Sequence, residues 1–62
     1  MAIITVVISK GRPQSVKDEI IAKLTSVMIE TINAEPRQVR VVINEVEEGC
    51  YGVAGKAIPP IA

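Results

Sequence analysis

Arg12 and Arg40 are the residues whose positions point to chemistry. Arg12 follows the apolar run of AIITVVISKGR, where that run has just ended. A residue at the carboxyl end of a strand in an α/β unit lies where ligands usually bind. Arg40 sits inside VRVVINEV, between Val39 and Val41. A charge there needs a partner or a ligand, because an unpaired buried charge is expensive. A guanidinium offers a planar fork that grips a carboxylate by two parallel N–H bonds. The competing reading makes Arg12 a solvated loop residue and Arg40 half of an interface ion pair, with Glu45 or Glu47 of a neighbouring chain opposite it. Tyr51, the single aromatic, reads either as core or as the wall of a small pocket. Cys50 has no evident base or helix N-terminus beside it to lower its pKa and reads as a packed thiol. Glu45, Glu47 and Glu48 read as a solvated acidic surface.

Much other chemistry is excluded. The chain has no histidine, hence no imidazole base and no Ser-His or Cys-His nucleophile pair. One cysteine forms no intrachain disulfide, and a lone thiol makes no zinc site. The glycines match neither standard phosphate-binding fingerprint, so no metal or cofactor is expected. Seven basic residues balance seven acidic ones, and a nucleic-acid binder would show a basic excess and aromatic platforms. The uncharged stretch Met1 to Ser9 is too short to span a bilayer and lacks the marks of a signal peptide. The expectation is a soluble cytoplasmic protein with a reduced thiol and no membrane partner.

The elements that must position these residues follow from the hydropathy pattern. Ile3, Ile4, Val6, Val7 and Ile8 predict a strand with both faces covered. Gly11 and Pro13 end it, and Pro13 suits the first turn of a helix. Val16, Ile20, Leu24, Val27, Met28 and Ile32, with Ile21 beside them, predict a helix from about Pro13 to Asn33. Lys17, Asp18, Lys23, Ser26 and Glu30 fall largely on its polar face. Asn33, followed by Pro36, is the stop. Val39 to Val46 predicts a second strand, with Val39, Val41 and Ile43 on one face and Arg40, Val42, Asn44 and Val46 on the other. Glu47 to Lys56 carries three glycines and predicts a turn or short hairpin, and Pro59-Pro60 keeps the tail out of a helix interior or central strand.

Strand, helix, strand is one α/β domain over residues 1–62: a single βαβ unit with parallel strands and a right-handed crossover. One helix covers one face of a two-stranded sheet, while hydrophobic residues make up 48% of the chain. A 62-residue domain without disulfide or metal buries too little alone. The open face therefore predicts an obligate oligomer.

Three short motifs now stand in register: the strand ending in Lys10-Gly11-Arg12, VRVVINEV with its arginine, and CYGVAGK. Together they resemble the 4-oxalocrotonate tautomerase family over nearly the whole chain. The resemblance implies the tautomerase fold and a hexamer, a trimer of dimers with active sites shared between subunits. It implies enol–keto tautomerisation of small 2-hydroxy or 2-oxo dicarboxylates by proton transfer, without a cofactor. Arg12 and Arg40 match the family's two arginines, which hold the substrate carboxylate and stabilise developing enolate-like charge. Tyr51 matches the aromatic that keeps the pocket dry. The departure is at Ala2, which occupies the place of the family's catalytic N-terminal proline. With Met1 removed, Ala2 offers a primary amine, whose ordinary pKa of about 7.7–8 is lowered by burial near cations. With Met1 retained, that nitrogen is an amide and no base. Three readings follow: an isomerase using the Ala2 amine; a catalytically weak subunit of a homo- or hetero-hexamer, completing sites on related neighbours; or a different reaction with Tyr51 or a water as acid or base.

Overall fold

The computed structural model describes residues 1–59. The apolar N-terminal run forms strand β1, Ala2–Ser9, and the periodic segment forms helix α1, Gln14–Ile32. A short 3-10 turn, Pro36–Gln38, leads into strand β2, Val39–Val46. Two-residue strands β3, Gly52–Val53, and β4, Lys56–Ala57, close the described chain. β1 and β2 pair in parallel, Ala2 beside Val39 through to Ser9 beside Val46. β3 and β4 pair antiparallel, making the hairpin that the glycines of this segment predict.

Local chemistry explains the boundaries. Gly11 has φ +122°, outside the region open to side-chain-bearing residues, and turns the chain out of β1. Pro13 stands just before the helix rather than in its first turn; its extended backbone caps the helix, and its carbonyl accepts from Val16 N–H at 3.1 Å. At the other end Asn33 takes the left-handed conformation, φ 56° and ψ 37°, one of the two residue types that commonly cap a helix this way. The hairpin turn places Ala54 and Gly55 at φ 54° and 82°. Positive φ at both central residues is what the type I′ two-residue hairpin turn requires, a turn that matches the strands' twist.

Strand alternation then assigns the faces. Ala2, Ile4, Val6 and Ile8 of β1 lie on the helix side with Val39, Val41 and Ile43 of β2. Val39, 8% exposed, is the buried hydrophobic residue. The other face carries Ile3, Thr5 and Val7 beside Arg40, Val42 and Asn44, with Ile3 65% and Val7 60% exposed. Within one chain, β1 is thus covered on one face, not two.

The helix also departs from its expected stripe. Val16, Ile20, Leu24 and Met28 are half-buried, but Ile21, Val27 and Ile32 are exposed. The helix lies nearer β2 than β1, and two strands about 4.8 Å apart are too narrow to cover both flanks of a wide apolar arc. Lys17, expected on the polar face, lies instead on the sheet side. Its spacing from Ile20 and Leu24 puts it in the same stripe, where its stem packs while its ammonium meets Glu45 at 3.1 Å. The tail's Pro59 lies outside any strand; the expectation for Pro60 falls outside the described residues. No helix among the described residues is long and apolar enough to cross a membrane.

Candidate functional site

The charges at the carboxyl end of the sheet sort into pairs and a remainder. Lys10 Nζ donates to Glu47 Oε1 at 2.7 Å, and Lys17 Nζ to Glu45 Oε1 at 3.1 Å. The second pair is the more sheltered, its side chains 19% and 28% exposed. Two members of the acidic cluster therefore neutralise two lysines of their own chain, rather than forming a purely solvated surface. The hydrogen bond from Lys10 holds the Glu47 carboxyl below its ordinary range, and the same bond raises the Lys10 ammonium.

Arg12 lies between these pairs in sequence and joins neither. Its Nη1 donates to Ser9 Oγ at 2.8 Å and to the Ser9 carbonyl at 3.0 Å. Elsewhere Lys23 pairs with Glu19 and Arg37 with Glu35. Among the described residues, the side-chain cations with no carboxylate partner are Arg12, Arg40 and Lys56. The two arginines singled out by position in the sequence both belong to this set.

Their places on the sheet differ. Arg40 stands beside Ile3 in the register, next to the pair Ala2–Val39, at the amino end of β1. It is exposed on the face away from the helix, and its Nη1 donates to the carbonyl of Arg37. Ser9, which holds Arg12, has the same parity in β1 as Ile3 and Val7 and so belongs to the same open face. Seven strand steps separate Ala2 from Ser9, about 23 Å along β1. The fold thus brings Ala2 and Arg40 together and puts Arg12 at the far end of the sheet. Tyr51 lies at the foot of the hairpin, where its carbonyl accepts from Ile58 N–H at 2.8 Å, and its side chain is exposed. Cys50, expected to be packed, is exposed in this chain. Among the described residues no group of His, Cys, Asp and Glu could hold a metal ion.

Sequence reasoning missed Ser9, which reads there as the last residue of a strand. The available signal was its place three residues before an arginine, across a glycine turn.

A model of the tautomerase enzyme family matches residues 3–59. The chain belongs to the tautomerase family. A probable tautomerase of Halalkalibacterium halodurans is 40% identical over 58 residues, 94% of this chain and 95% of the relative. A probable tautomerase of Ralstonia nicotianae is 38% identical over 55 residues, 89% of this chain and 79% of that one. Among solved structures, a 4-oxalocrotonate tautomerase isozyme of Methylibium petroleiphilum superposes with a TM-score of 0.80 at 33% identity, covering 89% of this chain and 86% of the other. A further 4-oxalocrotonate tautomerase homologue superposes at 0.83 with 26% identity, covering 92% and 90%. The βαβ unit with its antiparallel hairpin is therefore the tautomerase fold. The family match begins one residue after Ala2.

Proposed function

We propose that this tautomerase-family chain, one domain over residues 1–62, moves a proton between oxygen and carbon of small 2-hydroxy or 2-oxo dicarboxylates, as an oligomer whose sites are shared between copies. The observation that carries this reading is the pair of arginines without carboxylate partners among the described residues, both associated with the open sheet face. Guanidinium groups in that state are ready for a ligand's carboxylates. Arg12 is too far along β1 from Ala2 and Arg40 to meet the same small molecule within one chain. A second copy seated on the open face supplies the Arg12 that one chain cannot.

The chemistry follows from the residues at the amino end. With Met1 removed, the Ala2 α-amine takes the proton of the substrate's enol oxygen. The electron pair moves through the conjugated carbons, and the same nitrogen returns the proton to carbon. Arg40 and a neighbour's Arg12 hold the carboxylates and offset the negative charge that develops on oxygen. A neighbour's Tyr51 walls the pocket and excludes water. The small side chain of Ala2 favours removal of Met1 from the nascent chain.

The test is ketonisation of 2-hydroxymuconate by protein whose N-terminus is defined by intact mass. Processed protein is expected to turn over, Ala2→Pro to be faster, and protein retaining Met1 to be inactive. An inactive processed parent together with a strongly active Ala2→Pro variant overturns the amine mechanism. The subunit then becomes one that completes sites on proline-bearing relatives, and co-purification of such a relative is the matching result.

A further inference from the structure

Arg12 is held at one corner only. Nη1 meets two acceptors, Ser9 Oγ at 2.8 Å and the Ser9 carbonyl at 3.0 Å, while Nε and Nη2 have no hydrogen-bond partner among the described residues. A guanidinium has two edges that grip a carboxylate by parallel bonds: the end-on edge, Nη1 with Nη2, and the side-on edge, Nε with Nη2. Ser9 occupies the corner that the end-on edge needs. We infer that Ser9 is the positioning residue of this site, locking Nη1 and presenting the Nε–Nη2 edge of Arg12 to the substrate carboxylate. The inference rests on reading Arg12 as a carboxylate ligand.

Three features give the arrangement its force. Ser9 is paired with Val46 in the sheet, so the anchor is fixed by the fold and not by the loop that carries Arg12. The loop itself turns at Gly11 with φ +122°, and the two bonds to Ser9 are the only hydrogen bonds the guanidinium makes among the described residues. Nearby, Glu47 and Glu45 are engaged by Lys10 and Lys17, and Arg12 forms no ion pair with any carboxylate among the described residues, Glu48 included, so the Nε–Nη2 edge is unclaimed. Ser9 touches no substrate in this scheme; it acts through Arg12.

The experiment is calorimetric titration of the intact oligomer with two unreactive probes of one carbon skeleton and one double-bond geometry, trans,trans-muconate with two carboxylates and sorbate with one. Four proteins are compared: the parent, Ser9→Ala, Ser9→Thr and Arg12→Ala. Losing one hydrogen bond to a charged group is expected to weaken muconate binding about 10-fold or more in Ser9→Ala. Ser9→Thr, which keeps the hydroxyl, is expected within about twofold of the parent, and sorbate is expected to discriminate the variants less, since it can dock on Arg40 alone. Ser9→Ala binding muconate like the parent while Arg12→Ala fails overturns the positioning role and leaves the carboxylate reading standing. Arg12→Ala binding like the parent overturns both. A crystal structure of the parent with muconate gives a readout independent of the variants' folding. A carboxylate on Nε and Nη2 with the Ser9 bonds intact supports the inference, and a carboxylate on Nη1 with Ser9 displaced overturns it.

Discussion

At Arg12 and Arg40, the lack of an intrachain carboxylate partner among the described residues has a measurable consequence. Each charge-assisted pair with a ligand is worth about 1.5–3 kcal/mol, so Arg12→Ala and Arg40→Ala are each expected to lower kcat/KM on a dicarboxylate about 10- to 100-fold. Lys56→Ala, the third such cation, lies on the hairpin and is expected to stay within about twofold; an equal loss there would mean that any positive charge serves. The Lys10–Glu47 pair makes a separate prediction. Glu47 is held low in the folded chain by its bond from Lys10, so its contribution is complete above the unfolded carboxyl value of about 4.3 and is lost as pH falls through the folded one. Lys10 is held high, so its share is complete below about 10.4 and is lost as pH rises through its folded value. The melting temperature of the parent minus that of Glu47→Gln should therefore be flat near neutrality and shrink below about pH 4. Because the pair is exposed, about 1 M salt should shrink it too. A gap unchanged from neutral to acid pH would mean that the pair does not form in solution. Arg12 and Arg40 stand out in the sequence because one follows the end of an apolar run and the other interrupts one. Ser9 does not, because its role depends on where the turn at Gly11 returns the guanidinium.

At the level of elements, the hairpin carries an exposed alanine where glycine is conformationally easier. Ala54 sits at φ 54°, a conformation that costs a side-chain-bearing residue about 1–2 kcal/mol. Ala54→Gly gives back part of that relief through the greater freedom of the unfolded chain, about 0.4–1 kcal/mol. It should therefore raise the melting temperature slightly, and Gly55→Ala should lower it. If Ala54→Gly destabilises, the turn in solution is not the one described. The strands and helix were legible because apolar periods of two and of three to four are local properties. The flanks of the helix were not: Ile21, Val27 and Ile32 belong to the apolar arc by sequence, and only the width of the sheet and the offset of the helix toward β2 decide that they stay exposed. Lys17 is the reverse case, a charge admitted to the sheet side because Glu45 waits there.

The whole molecule does not close on itself. Its radius of gyration is 14.2 Å, against about 10.6 Å for a compact chain of this length. Its accessible surface is 4697 Å², against about 3,900 Å² for a compact protein of its mass. Exposed apolar side chains include Ile3, Val7 and Val42 on the open sheet face as well as Val27 and Ile32 on the helix, and a second copy on the open sheet face would cover the first three. Val7→Asp puts a charge at the middle of that face and is expected to dissociate the assembly. Sedimentation should find the parent at a multiple of the 6.6 kDa chain mass, six-fold in the expected hexamer, and the variant at a lower multiple with lost activity. A parent that sediments as a folded, active monomer would overturn the shared-site reading. By itself the sequence determined the order of elements, the parallel pairing and the two arginines, because hydropathy period, chain punctuation and residue chemistry are written locally. The tertiary structure alone decided which face is open, that Arg12 and Arg40 stand at opposite ends of it, and that Ser9 fixes the guanidinium. Those depend on strand register and on a turn's path, which bring together groups that no local pattern relates.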